Sequence, residues 1–156
     1  MGGGGLEPTH LRGKRKGCAI IRTLSETLPE FAQRYGRAWA AHDPEAITAL
    51  HTEDSVFHRH DISPAATGRT AVRDLITALL AATPDVRFQP VRVHFGRDHF
   101  VSEYLMSGTM QGRAFAIEGA DIFSMREGLV ARKDSYLDWT AFSRQTGLDV
   151  MDPMSL

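Results

Sequence analysis

The chain has 156 residues, of which 42% are hydrophobic and 24% are charged, values that are typical of a single globular domain with a sizeable core. Its formal net charge of −1 excludes a strongly basic surface for nucleic acid, and its single cysteine, Cys18, excludes a disulfide within the chain. No apolar run approaches the roughly 20 residues of a membrane-spanning helix, and no signal peptide is recognisable. We therefore expect a cytoplasmic protein with no membrane or nucleic-acid partner.

Residues 1–24 are rich in glycine and then basic, with the segment RGKRKG at Arg12–Gly17. One interpretation is a basic arm that binds an anionic partner. The other is a disordered or poorly ordered tail, which we expect because so few basic residues among glycines seldom specify a partner. The predicted domain organisation is a tail over 1–24, one folded domain over 25–147 and a C-terminal tail over 148–156.

Three helices are predicted in the first half of the folded domain. Thr27 is a helix cap, and Glu30 completes a capping box at the start of TLPEFAQRYGRAWAAHD, which carries an apolar stripe at helical spacing. Asp43 ends this helix and caps a short second one, PEAITAL. The third helix is RTAVRDLITALLAATP, whose apolar face ends at Pro84.

The strands follow a different pattern. SVFHRH is predicted as a short strand, and HDISPAATG after it as a loop. Four long strand-like runs follow, and the short turns GRD, QG and REG between them favour antiparallel neighbours. DWTAFSRQTG is predicted as a last helix, with Asp138 as its cap and Gly147 as its stop. The four runs are 86–95, 99–110, 113–125 and 129–137.

This order of elements predicts an α+β fold. A curved antiparallel β-sheet packs on about three N-terminal helices, which lie on one face of the sheet. A sheet that curves around a long helix is cone-shaped, and its mouth is a concave, mostly apolar pocket of the kind that binds small molecules.

An aspartate interrupts the apolar run AIEGADIFSM. Alternation along a strand places Asp121 on the same face as Phe115 and Phe123. An ionised carboxylate on an apolar face is costly unless it is paired or hydrogen-bonded, or unless its pKa rises. A carboxyl group of raised pKa in a cavity suits a proton-abstracting base. The alternative is a structural aspartate that is bonded to Tyr35, Arg59 or the backbone.

The segments QRYGRAWAAHDPEAITALHTEDSVF and GADIFSMREGLVARKDSYLD resemble the nuclear transport factor 2-like superfamily. The resemblance spans residues 28–146 and is closest to the SnoaL-like polyketide cyclases, ketosteroid isomerases and limonene epoxide hydrolases. It implies a homodimer and a cofactor-free enzyme that abstracts a proton next to the carbonyl of a hydrophobic, polyketide- or steroid-like compound. This fold also hosts non-catalytic proteins, so a ligand-binding or assembly module is an alternative, and a variant epoxide-opening hydrolase or cyclase is another.

Two positions match the ketosteroid isomerases and one departs from them. Tyr35 falls where these enzymes place the tyrosine that donates a hydrogen bond to the developing oxyanion. Asp121 falls where they hold a protonated aspartic acid, and where the SnoaL-like cyclases have their aspartate base. Arg59 falls at the isomerase base, and arginine is not a general base at ordinary pH, so ordinary ketosteroid isomerisation is not expected.

The epoxide hydrolase pattern is not met on the late strands. The Arg-x-Asp pair of those enzymes falls on Tyr104 and Met106, and their last aspartate falls on Ser135, next to Asp134. Ser135 and Lys133 share a strand face that this resemblance turns inward, where Ser135 can hydrogen-bond a ligand. Lys133 is expected to be solvated near the rim of the pocket.

The predicted catalytic residues are Asp121 as the base or proton shuttle and Tyr35 as the donor to the enolate oxygen. Arg59, with His58, orients the substrate or takes the second proton role. His58 and His60 share a strand face and are a possible start of a metal site, but no third ligand follows at a fitting spacing, so no metal is expected. The predicted substrate-binding residues are Trp39, Phe57, His60, Tyr104, Met106, Phe123 and Ser135.

Overall fold

The structure is a computed structural model that describes Met1 and residues 26–61 and 63–150. The predicted N-terminal tail therefore lies outside the described residues, apart from Met1. None of the described helices is both long and apolar enough to cross a membrane. The helices are α1 Leu28–Ala40, α2 Pro44–Thr48, α3 Arg69–Ala82 and α4 Trp139–Thr146, and the strands are β1 His51–His58, β2 Ala66–Thr67, β3 Arg87–Phe95, β4 His99–Met110, β5 Arg113–Arg126 and β6 Leu129–Leu137.

The helix ends follow the predicted capping signals. The side chain of Thr27 accepts from the Glu30 backbone, and the side chain of Glu30 accepts from the Thr27 backbone, so the capping box is complete. Asp43 caps α2 and Asp138 caps α4 through hydrogen bonds to backbone N–H groups at 3.0 Å and 2.8 Å. Gly147 ends α4 with a φ of 69°, a left-handed conformation that glycine adopts without steric cost.

The six described strands form one sheet in the order β2-β1-β6-β5-β4-β3. Strands β3 to β6 are the predicted antiparallel meander, and the α+β prediction is confirmed. β1 departs from the meander because it runs parallel to β6. β2 lies within the segment that was predicted as a loop, and it pairs with β1 at only two positions, Val56 with Thr67 and Phe57 with Ala66.

Helices α1 and α3 cover the concave face of the sheet and bury its core. α1 contributes Phe31, Tyr35 and Trp39 to that core. A second, smaller apolar cluster lies where α4 packs on β5. Leu148 and Val150, in the segment predicted as a C-terminal tail, are buried in this cluster, whereas residues 151–156 lie outside the described part. The smaller cluster consists of Phe115, Ile117, Phe142, Leu148 and Val150.

Candidate functional site

Asp121 lies on the concave face of β5, and only 6% of its surface is exposed. Its Oδ1 accepts hydrogen bonds from Tyr104 Oη at 2.9 Å and from Ser135 Oγ at 2.5 Å. Its Oδ2 lies 3.0 Å from Lys133 Nζ. Since each of these partners donates, the arrangement suits an ionised carboxylate, which accepts hydrogen bonds and donates none.

Lys133 is buried, so the prediction that it is solvated near the rim of the pocket was wrong. Its ammonium nitrogen lies 4.5 Å from the ring centroids of both Trp39 and Phe57. The rings of Tyr35 and Phe123 are next, at 5.7 Å and 5.5 Å. The ion pair with Asp121 and the aromatic faces together offset part of the desolvation cost of the ammonium group.

A β-bulge sets the orientation of these side chains. The β5–β6 pairing shifts by one residue close to the turn, which leaves Ala131 as an extra residue on β6. Without this residue the hairpin register would place Asp121 opposite Asp134. With it Asp121 pairs with Ser135, and Lys133 and Ser135 point into the core.

Tyr35 is turned towards β1 rather than bonded to Asp121. Its Oη lies 3.0 Å from Nε2 of His51, a fully buried residue of β1. Burial, together with the positive charges of Lys133 and Arg69, lowers the pKa of His51 to about 3. Burial raises the pKa of the Tyr35 hydroxyl, as does the charge of Asp121. The pair is therefore a neutral imidazole and a protonated phenol at ordinary pH.

The hydroxyl group of Tyr104 is also protonated at ordinary pH. Burial raises the pKa of its hydroxyl, and the charge of Asp121 and the hydrogen bond to it act in the same direction. Tyr104 is therefore a hydrogen-bond donor in the site and not a base.

Arg59 points to the same side of the sheet but does not pair with Asp121. Its Nη2 lies 2.9 Å from Asp61 Oδ2, and its guanidinium carbon lies 5.2 Å from the ring centroid of Trp139. Burial lowers the pKa of Arg59, and the charge of Asp61 counteracts that effect. Of the side chains predicted to pair with a structural Asp121, neither Tyr35 nor Arg59 does so, and its ion-pair partner is Lys133.

Two cavities meet at the buried ion pair. The cone pocket, with a volume of about 480 Å³, lies between α3, α4 and the concave face of the sheet. The α1 groove, of about 1100 Å³, lies between α1 and strands β3 and β4. Lys133 and Tyr104 line both cavities, Asp121 lines the α1 groove, and Ser135 and Arg59 line the cone pocket. The walls of both cavities are mostly apolar, as is usual for small-molecule sites.

The structure brings most of the predicted substrate-binding residues to these cavities. Among the described residues that line them, His58 and His60 are absent. His58 lies on the opposite face of the sheet, since its neighbour Phe57 on β1 faces the pocket. His60 follows β1, and its side chain contacts Asp134 on that opposite face. The predicted residues that line one or both cavities are Trp39, Phe57, Tyr104, Met106, Phe123 and Ser135.

Lys133 and His51 are the residues of this site that the sequence analysis did not select. The signal for Lys133 was its inward strand face, which it shares with Ser135. The signal for His51 was weaker, because the segment HTED at the start of β1 contains no apolar residue.

Comparison with known proteins identifies one family. A family model described as a SnoaL-like domain matches residues 32–133. No protein with a curated description matches the chain.

Several solved structures share the fold. A hypothetical protein with a ketosteroid isomerase-like fold from Catenulispora acidiphila DSM 44928, in complex with trimethylamine, is 23% identical, with a TM-score of 0.72 and coverage of 80% of this chain and 97% of that chain. A proposed SnoaL-like polyketide cyclase from Jannaschia sp. CCS1 is 15% identical, with a TM-score of 0.68 and coverage of 76% and 90%. A proposed polyketide cyclase from Xanthomonas campestris pv. campestris is 18% identical, with a TM-score of 0.68 and coverage of 76% and 95%.

Proposed function

The chain belongs to the family of SnoaL-like domains, and we propose that it is an enzyme that removes a proton from the carbon next to a carbonyl group without a cofactor. The substrate class is a hydrophobic carbonyl compound of polyketide-like or steroid-like shape, and the reaction is a cyclisation, isomerisation or dehydration. The proposed polyketide cyclases among the proteins of similar fold support this class.

The observation that carries the proposal is the buried Asp121–Lys133 ion pair at the junction of two apolar cavities. Burying an ion pair is costly, and apolar side chains of similar volume often stabilise a core as well or better. The pair is therefore poorly explained by packing alone. In contrast, a carboxylate and an ammonium group that line the α1 groove together suit a reaction in which a carbanion forms and its charge moves to oxygen.

Each group at the junction has a role in such a reaction. Asp121 accepts the proton from the carbon, and the Lys133 ammonium and the Tyr104 hydroxyl stabilise the enolate oxygen as its charge develops. In an isomerisation Asp121 returns the proton to another carbon, and in a dehydration it protonates the departing hydroxyl group. Hydrophobic walls exclude water and strengthen these electrostatic interactions.

Two further residues act on the substrate or its surroundings. Tyr35 lines the α1 groove and remains a candidate donor to the enolate oxygen, with the neutral His51 holding its hydroxyl. Arg59 lines the cone pocket, where it suits an anionic or carbonyl group at the far end of the substrate. His58 and His60 have no role in this proposal because they lie on the other face of the sheet.

The test compares binding with turnover. Hydrophobic carbonyl compounds that raise the thermal unfolding temperature of the wild-type protein identify binders, which are then assayed for conversion. Asp121→Asn is expected to retain binding and to lose roughly 100-fold to 10,000-fold in turnover, the usual contribution of a general base. Asp134→Asn is the matched control, since this carboxylate lies one residue from Ser135 but faces away from the pocket. Equal turnover in the wild type and Asp121→Asn would refute the proposal.

A ligand-binding module is the second candidate. The observation that favours it is the number of donors on Asp121. Two hydroxyl groups and an ammonium group contact its oxygens, which a base would need to present to the substrate. Compounds that bind tightly and are recovered unchanged from the wild-type protein would support this alternative. Epoxide opening through Asp134 is not favoured, since Asp134 faces away from both cavities.

The outer face of the sheet suits a homodimer. Ile122 of β5 and Tyr136 of β6 expose 40% and 47% of their surface there. Neighbouring apolar side chains on a sheet face are commonly covered by a partner. We expect two copies of the chain to associate through this face.

A further inference from the structure

A cluster of potential metal ligands lies on the sheet face that points away from both cavities. Its members are His58, His60 and Asp134, and their candidate ligand atoms all lie within 4.8 Å of one another. His58 and Asp134 are paired across the parallel β1–β6 ladder, and His60 follows where β1 ends. Because Asp134 comes from a strand distant in sequence, the sequence alone did not reveal a third ligand.

The three side chains are already close to a ligating geometry. His60 Nε2 lies 2.8 Å from Asp134 Oδ1, and the ring centroids of His58 and His60 are 3.9 Å apart. In a tetrahedral site with metal–ligand bonds of about 2.0–2.1 Å, two ligand atoms are roughly 3.4 Å apart. The His60 nitrogen and the Asp134 oxygen would therefore have to move apart only slightly to bind one metal ion. Tyr136 stacks on the His60 ring at 4.2 Å and orients it.

The backbone also holds His60 in place. Its φ is 51°, a left-handed conformation that few non-glycine residues adopt. His60 lies two residues after the end of β1, and its side chain contacts Asp134 of β6.

We propose that His58, His60 and Asp134 bind a divalent transition-metal ion of the zinc class. Two imidazoles and one carboxylate suit Zn²⁺, Co²⁺, Ni²⁺ or Cu²⁺, whereas Mg²⁺ and Ca²⁺ prefer sites built from oxygen ligands. Three protein ligands leave a fourth position for water. The site is separate from Asp121 because the sheet lies between them, so this inference does not depend on the proposed reaction.

Arg132 competes with the metal for Asp134. Its Nε lies 2.6 Å from Oδ2 and its Nη2 lies 2.7 Å from Oδ1, and 46% of its side chain is exposed. A half-exposed guanidinium can move into water at small cost, so it weakens metal binding without preventing it. Removing its charge is therefore expected to strengthen metal binding at this site.

The experiment is a Co²⁺ and Zn²⁺ titration of the untagged full chain after treatment with a chelator. Visible absorption of bound Co²⁺ and calorimetry of Zn²⁺ are expected to show one site. His58→Ala, His60→Ala and Asp134→Asn should each weaken binding by roughly tenfold or more. Thermal unfolding without metal shows whether each variant is folded.

His94→Ala is the matched control. His94 lies 3.1 Å from Glu103, and Glu103 also binds Arg92. This cluster has an imidazole, a carboxylate and a guanidinium like the proposed metal site, but it lacks the second imidazole. Its removal should leave the affinity unchanged.

Arg132→Gln should increase the affinity for Co²⁺ and Zn²⁺, which would support Asp134 as a ligand. No binding by the wild type at millimolar metal would overturn the proposal, as would equal affinity in the wild type and His58→Ala. Unchanged affinity in Asp134→Asn would exclude Asp134 as a ligand and would overturn it as well.

Discussion

The charge of Lys133 is balanced by Asp121, so removal of either residue leaves a buried charge without its partner. Lys133→Met is expected to lower the free energy of unfolding by about 3–5 kcal/mol, the usual effect of breaking a buried pair. The double variant Asp121→Asn/Lys133→Met should recover part of this loss, because it removes both charges. Denaturant unfolding measures the values, and a double variant that is less stable than Lys133→Met would contradict a paired role.

The buried imidazole of His51 makes stability depend on pH. Its pKa is lowered from 6.5 to about 3 in the folded protein. Between these values the unfolded chain binds a proton that the folded chain does not, so stability rises with pH in this window and is lost as pH falls from 6.5 towards 3. The slope from this residue alone is about 1 kcal/mol per pH unit.

Acidic residues titrate in the same pH range, so the contribution of His51 to stability is measured by comparing variants. The unfolding free energy of His51→Gln should fall less steeply below pH 6.5 than that of the wild type, whereas His94→Gln, at an exposed position, should match the wild type. Parallel curves for His51→Gln and the wild type would mean that His51 is protonated in the folded state.

At the scale of the elements, the sequence predicted most helix and strand boundaries because their signals are local. Capping residues and a left-handed glycine fix the helix ends, and the short turns fix the meander. β1 and β2 were the exceptions. The first four residues of β1, HTED, are polar, and β2 is two residues long and pairs through its backbone, so neither shows alternation.

The candidate site was partly predictable for the same reason. Alternation along β5 was enough to place Asp121 on the apolar face. Its ion-pair partner was missed because Lys133, although turned inward by the resemblance, was expected to reach solvent at the rim of the pocket. The residues alone did not decide the facing either, since the bulge at Ala131 carries no glycine or proline to mark it, and a shift of one residue decides whether Lys133 or Asp134 points inward.

Close packing around Gly119 on β5 holds Tyr104 in position. A Cβ atom at residue 119 would lie 2.5 Å from Leu137 Cδ2 and 2.7 Å from Tyr104 Cε2. Gly119→Ala should therefore displace Tyr104 and lower the unfolding free energy by roughly 1–3 kcal/mol. Gly36→Ala is the control, because no atom beyond the adjacent residues and the backbone of the same helix lies within 4 Å of a Cβ there, and alanine favours a helix. A Gly119→Ala variant as stable as the wild type in chemical denaturation would contradict this prediction.

At the scale of the whole molecule, the exposed outer face predicts the oligomeric state. Light scattering coupled to size exclusion should give the mass of a dimer for the wild type. Tyr136→Arg should shift this mass towards the monomer, because it places a charge within an apolar contact. Thr77→Arg, a substitution on the exposed side of α3, is the control and should remain dimeric. A monomeric wild type would exclude the association.

Asp121, at the buried ion pair where the two cavities meet, is proposed to remove a proton next to a carbonyl group. The most direct measurement is the NMR rate of deuterium incorporation at that carbon when a bound ketone is incubated with the protein in D₂O. The account predicts rapid exchange with the wild type, a loss of at least roughly 100-fold with Asp121→Asn, and no loss with Asp134→Asn. Exchange at the uncatalysed rate for ketones that bind the wild-type protein would contradict it and would identify the pocket as a binding site alone.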